Sequence, residues 1–100
     1  MAEETSAGIL AWGNETFGIV SDPLALFRRA QTEMEELAEA ITAGNSQACA
    51  AEAADVVILL HRLMGLMDRD LADEVDAKMA VNRQRVWRTS GDGTGHHIGP

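Results

Sequence analysis

Residues 56–67, VVILLHRLMGLM, constrain the fold more than any other part of this sequence. They are apolar on nearly every side of a helix, which is typical of a helix that neighbours cover on most sides. An alanine-rich stretch precedes them, and we predict one helix over about residues 47–66. A chain of 100 residues buries only about two-thirds of its unfolded surface. We therefore expect other copies of the chain to cover part of this helix.

Two further long helices are predicted, one on each side of that segment. Asp22 can cap a helix and Pro23 suits its first position, so a helix is expected from there to Gly44. Its apolar residues recur at helical spacing: Phe27, Ala30, Met34, Leu37, Ala38 and Ile41. Asp70, followed by an acidic third residue, can cap another helix that reaches about Arg88.

The chain is expected to be a single domain over residues 1–100, with a helical core over 22–88. The N-terminal segment, residues 1–21, is interrupted by glycines and is predicted to hold a short helix or turn. Residues 89–100 contain four glycines and a proline and are predicted to be an extended or ligand-ordered tail. The fold class predicted is all-α: a helical hairpin plus a third helix, completing a four-helix bundle by oligomerisation.

The acidic composition excludes some partners. Sixteen Asp and Glu residues face eight Lys and Arg, for a net charge of −8, which disfavours binding to a nucleic-acid backbone or an anionic membrane. Cys49 is the single cysteine, so an internal disulfide is impossible and a reducing compartment is expected. The N-terminus lacks the basic region of a signal peptide, and the longest apolar run is too short to span a bilayer. A cytoplasmic location is predicted.

Six carboxylates and no Lys or Arg lie between residues 33 and 61. Glu36 and Glu39 are three residues apart and therefore adjacent on one helix, and Glu52 and Asp55 repeat this spacing on the next. A short turn between the helices would bring the two pairs together. One interpretation is a solvated acidic face; the other is a site for a hard cation such as Mg²⁺ or Mn²⁺, which oxygen ligands select. His61 is expected to be a core residue.

The acidic residues also form a recognisable pattern: EELAE, twelve residues, then EAAD. It resembles the EExxE…ExxD signature of the MazG-like all-α nucleoside triphosphate pyrophosphohydrolases. The third predicted helix carries Lys78, Asn82 and Arg85, which is similar to the family's downstream K-x3-N-x2-R element. The resemblance covers about residues 24–88.

This resemblance implies hydrolysis of a nucleoside triphosphate between its α and β phosphates, with two or three Mg²⁺ or Mn²⁺ ions. The metal-ligand positions it implies are Glu36, Glu39, Glu52 and Asp55. Glu35, together with Glu36 and Glu39, is implied in catalysis, either holding another metal or orienting the attacking water. Lys78 and Arg85 would grip the phosphates, and Asn82 would reach phosphate or sugar. The family also implies a homotetramer made of two dimers.

The two ends of the chain suggest which base the nucleotide substrate carries. WGNETFG and the Trp87–GDGTGHHI region resemble a subgroup that acts on purine deoxynucleotides, the dATP/dGTP diphosphohydrolases including the phage MazZ type. Trp12, Phe17 and Trp87 could stack on a purine or could equally anchor the terminal segments. The substrate predicted is dGTP, with dATP as a second one. The alternatives are a pyrimidine dNTP, phosphoribosyl-ATP, or a non-enzymatic helical dimerisation module.

Overall fold

The computed structural model describes residues 3–99 and contains four helices and a small two-stranded sheet within them. The helices are α1 (Ser6–Phe17), α2 (Pro23–Thr42), α3 (Ser46–Leu66) and α4 (Leu71–Gln84). The strands are β1 (Val86–Thr89) and β2 (Gly95–Ile98), which pair antiparallel. Met1, Ala2 and Pro100, parts of the predicted N-terminal segment and tail, lie outside the described residues.

Each helix begins at a side chain that accepts a hydrogen bond from the first turn. The capping residues are Thr5, Asp22, Asn45 and Asp70. Two of them, Asp22 and Asp70, are the caps expected from the sequence, whereas α3 is capped by Asn45 and begins at Ser46. Gly44 has a φ of 69°, a conformation that glycine adopts without strain, and it allows the tight turn between α2 and α3.

The α2–α3 hairpin forms the centre of the fold. Leu26, Ala30 and Leu59 are buried where the two helices meet, and Val20, Leu63 and Leu66 pack against them. The helix α1 lies along α3, and Ser6 at its start is almost fully buried. The Ser6 hydroxyl accepts a hydrogen bond from the Leu71 amide at 2.7 Å and lies 2.9 Å from His61 Nδ1. This contact joins α1, α3 and the start of α4.

The segment after α3 differs from the expected long helix and tail. Helix α4 ends at Gln84, and Arg85 already has extended backbone angles (φ −82°, ψ 152°). Residues 86–98 form a hairpin rather than an extended tail, so the fold is mostly helical and not all-α. Valine, threonine and isoleucine at its strand positions favour extended backbone, and two glycines with positive φ, Gly91 and Gly93, permit the turn.

Much of the apolar surface of a single chain stays exposed. Phe27, Met34 and Ile41 were expected to face the core, but they are 47%, 52% and 63% exposed. None of the residues of α4, all of which are described, is buried. Only Leu59 and Arg62 are buried in α3, although its sequence is apolar nearly all round. Among residues 3–99, no helix is both long and apolar enough to cross a membrane.

Candidate metal and nucleotide site

Three carboxylates meet where α2 and α3 pack together. Glu33 and Glu36 lie one turn apart on α2, and Glu52 lies on α3 across the hairpin. One oxygen from each of the three side chains lies within 4.8 Å of the other two. Glu33 is the deepest of them, at 7% exposed. We call these three residues the acidic cluster.

The pKa values of the three clustered carboxyl groups are shifted because the groups lie close to one another. The adjacent carboxyl group of Glu33, together with burial and the charge of Glu36, raises the pKa of Glu52 to about 7. The adjacent Glu33 likewise raises the pKa of Glu36. The pKa of Glu33 is lowered, chiefly by interaction with the Glu36 carboxyl group, and Arg29 adds to this. Arg29 Nη2 lies 2.8 Å from Glu33 Oε1.

These residues fit a divalent cation. Glu52 Oε2 is buried and has no hydrogen-bond partner among the described residues. A buried carboxylate oxygen without a partner is costly, and three converging oxygens are suitable ligands for a hard ion. Arg29 supplies one positive charge to the three carboxylates, so a cation would neutralise the remaining charge.

The structure brings together only part of the metal-ligand set implied by the sequence. Glu36 and Glu52 belong to the acidic cluster, while Asp55 lines a cavity beside it together with Glu33. Glu39 is exposed and is not among the three clustered carboxylates. Glu35 is also exposed and borders a different groove, beside Met34. The sequence analysis did not select Glu33 as a ligand. Two features of the sequence could have indicated it: Glu36 follows it by three residues, and Arg29 lies one turn before it.

The cavity beside the cluster has a volume of about 370 Å³. The carboxylates Glu33 and Asp55 line it, as do the aromatic side chains Trp12 and Phe17 of α1. These two rings pack edge to face with centroids 5.6 Å apart. Arg62 also lines the cavity, and the sequence analysis did not select it. Trp87 is elsewhere, packed edge-on against His97 in the hairpin.

Lys78, Asn82 and Arg85 are not among the described residues that line this cavity. Lys78 and Asn82 lie on α4, and Arg85 caps its end. The Asn82 carbonyl oxygen accepts a hydrogen bond from Trp87 Nε1 at 2.9 Å, while its Oδ1 atom is buried without a partner in the described residues. Within one chain, α4 touches α3 only sparsely.

Comparison with known proteins places these features in context. No family model matches the chain. Its overall structure is similar to a MazG-like pyrophosphohydrolase from Cyanophage S-2L, solved with dGDP and three catalytic Mn²⁺ ions per active site. The TM-score is 0.71 and the sequence identity 27%, covering 95% of this chain and 90% of that one. The resemblance to MazG-like pyrophosphohydrolases is thus confirmed.

The chain is also similar in sequence to two phage proteins that share one name. A dATP/dGTP diphosphohydrolase from Salmonella phage PMBT28 is 47% identical over 64 residues, which are 64% of this chain and 21% of that protein. A dATP/dGTP diphosphohydrolase from Cyanophage S-2L is 35% identical over 65 residues, or 65% of this chain and 61% of that protein. The chain therefore matches about a fifth of one relative and three-fifths of the other. Both relatives are named as enzymes.

Proposed function

We propose that this protein is a metal-dependent hydrolase of purine deoxynucleoside triphosphates, which converts dGTP, and secondarily dATP, to the monophosphate and pyrophosphate. The acidic cluster carries the proposal: three carboxylates converge within 4.8 Å, one of them with an unpaired buried oxygen. The relatives support it, since two are named dATP/dGTP diphosphohydrolases and the similar solved structure holds dGDP and Mn²⁺.

Each residue of the site has a proposed task. Glu33, Glu36 and Glu52 would hold Mg²⁺ or Mn²⁺, with Asp55 as a further ligand from the same cavity. Bound divalent ions acidify a water molecule and neutralise charge that develops on the phosphate oxygens. Glu35, which is exposed, remains proposed to orient the attacking water or to hold another ion. Glu39, also exposed, remains a proposed catalytic residue outside the acidic cluster. Arg29, at the edge of the cavity, would hold Glu33 in its orientation through their ion pair.

The cationic residues Lys78 and Arg85, with Asn82, are proposed to bind the phosphates. They lie on or next to α4, none of whose residues is buried. We propose that the chain works as a homotetramer made of two dimers. The exposed apolar side chains Phe27 and Met34 support such an assembly, which light scattering coupled to gel filtration would test. The location in the cytoplasm, the host's if a phage encodes the protein, stays a prediction from the sequence.

Product analysis tests the activity directly. The protein is incubated with each of the four dNTPs and Mg²⁺ or Mn²⁺, and the products are separated by ion-exchange chromatography. We expect dGMP and pyrophosphate in equal amounts from dGTP, less turnover of dATP, and loss of turnover in Glu52→Gln. Glu15→Gln, the same change at an exposed position of α1, is the matched control. Release of orthophosphate, or full activity of Glu52→Gln, would contradict the proposal.

A further inference from the structure

Arg62 is a buried cation without an acidic partner among the described residues. Its side chain is on α3, and the residue is only 6% exposed. The Nε atom has no hydrogen-bond partner, and none of the three ion pairs within residues 3–99 includes Arg62. Burying a charged group without compensation is costly. A ligand that accepts hydrogen bonds would compensate this charge.

The packing around Arg62 holds its guanidinium in a fixed place. Arg62 Cζ lies 5.3 Å from the centroid of the Phe17 ring, a cation–π distance. The helix α1 approaches so closely at Gly13 that a Cβ added there would clash with Arg62 Nε. The N–H donors of a guanidinium lie in its plane. None of the ion pairs within residues 3–99 occupies the outer N–H groups of Arg62, which leaves them free for a ligand.

Arg62 stands at the opposite end of the cavity from the acidic cluster. It follows Asp55 by seven residues and Glu52 by ten, so it lies about 10 Å and about 15 Å farther along the axis of α3. Trp12 and Phe17 line the cavity beside it. With the phosphates of a nucleotide at the acidic cluster, its base would lie against this pair of aromatic rings and near Arg62.

The donors of Arg62 distinguish the two purines. The edge of guanine formed by O6 and N7 offers two acceptors, whereas the matching edge of adenine offers one acceptor and one donor. Arginine has only donors, so it pairs with both atoms of guanine and leaves the adenine amino group without an acceptor. We propose that Arg62 binds O6 and N7 of guanine and makes this site prefer dGTP to dATP. This inference rests on the proposed function.

The test compares binding of dGMP and dAMP by isothermal titration calorimetry, which requires no hydrolysis. We expect the unaltered protein to prefer dGMP. Arg62→Gln should weaken dGMP binding about tenfold to a hundredfold and favour dAMP, because glutamine pairs with N6 and N7 of adenine. Arg69→Gln is the matched control, since Arg69 is exposed and pairs with Glu74 away from the cavity. An equal loss for both nucleotides would mean that Arg62 binds phosphate or is structural, and would overturn the inference.

Altered bases test the same contact without altering the protein. The base of 7-deaza-dGMP lacks the N7 acceptor, whereas dIMP keeps both O6 and N7 and lacks only the 2-amino group. The unaltered protein should bind dIMP about as tightly as dGMP and should bind 7-deaza-dGMP about tenfold more weakly. Equal binding of 7-deaza-dGMP and dGMP would refute the contact, even if Arg62→Gln fails to fold.

These experiments separate this inference from the proposed function. If dGTP is hydrolysed but Arg62→Gln leaves the preference for guanine unchanged, the inference fails and the proposed function stands. If dGMP binding depends on Arg62 and N7 but no nucleotide is hydrolysed, the binding inference stands and the proposed function fails.

Discussion

Replacing Glu33 should abolish metal binding, whereas replacing Glu39 should leave it intact. The sequence pattern implies Glu39 as a ligand, whereas the structure places Glu33 in the acidic cluster and leaves Glu39 exposed. We predict that Glu33→Gln largely abolishes stabilisation by Mn²⁺ and that Glu39→Gln keeps it. The two variants make the same chemical change on the same helix, so each is the control for the other.

The size of the effect follows from linkage between binding and folding. Mn²⁺ at a hundred times its Kd stabilises the folded chain by about 2.7 kcal/mol. A domain of this size gains about 4–8 °C in Tm for each kcal/mol, so the shift should be about 10–20 °C. Loss of one of the three clustered carboxylates is expected to weaken Mn²⁺ binding about a hundredfold. This is comparable to or greater than the loss that follows when a residue hydrogen-bonded to a metal ligand is replaced. At the same Mn²⁺ concentration only about 0.4 kcal/mol, or about 2–3 °C, would then remain.

Differential scanning fluorimetry with and without Mn²⁺ measures these shifts. Each variant is compared with its own metal-free Tm, because Glu33→Gln also removes the ion pair with Arg29. A full Mn²⁺ shift in Glu33→Gln together with a lost shift in Glu39→Gln would refute the acidic cluster as the metal site. No shift in the unaltered protein would favour the helical dimerisation module.

Three further predictions concern pH and packing. The pKa of Glu52 is about 7 in the fold, above its ordinary value of 4.5, so the folded chain holds an extra proton between these values. Chemical denaturation in EDTA should therefore show higher stability at pH 5.5 than at pH 8, and Glu52→Gln should remove most of this dependence; an unchanged dependence would contradict the assignment. Gly13→Ala should lose about 1–3 kcal/mol through overpacking against the buried guanidinium, offset by about 1 kcal/mol of helix propensity. Gly8→Ala, where the nearest atom would be 3.4 Å away, should instead gain about 0.5–1 kcal/mol in urea unfolding; equal effects would contradict the close approach. Ser6→Ala should cost about 1–3 kcal/mol, because the partly buried Leu71 amide loses its acceptor, and a cost near zero would contradict that role.

The helical hairpin could be predicted because its signals are local. Asp22 and Pro23 mark the start of α2, and Gly44 marks the turn after it. The predicted end of α4 was wrong because two local signals compete there. Arg83, Arg85 and Arg88 suit the C-terminal end of a helix, whereas residues 86–89 and 95–98 flank a glycine-containing turn, which is typical of a β-hairpin. The structure has the hairpin, and α4 ends at Gln84.

The chemistry of the candidate site could be predicted from the sequence, but not all of the residues that form it. The sequence identifies acidic pairs on two adjacent helices, which is enough to predict a cation site. Which face of α2 turns towards α3 depends on packing. The most apolar stripe, through Phe27, Ala30 and Met34, would be expected to turn inward. Ala30 is buried as expected, but Leu26 and Glu33 are buried in place of their neighbours Phe27 and Met34. Neighbouring residues differ by about 100° around a helix, so this one-residue difference brings Glu33 into the cluster.

The same rotation of α2 leaves apolar surface exposed on a single chain. An apolar stripe that α3 does not cover stays exposed on α2, and exposed apolar patches of this kind mark interfaces. The basic residues and the acidic cluster also lie in different parts of the chain. Four of the eight basic residues lie in residues 78–100 with Asp92 as the one acid there, whereas the acidic cluster lies on α2 and α3. A triphosphate needs both kinds of residue at once, metal-binding carboxylates and cationic donors. Packing of a second copy against the exposed stripe would bury apolar surface, and it offers a way for the cations of one chain to approach the carboxylates of another.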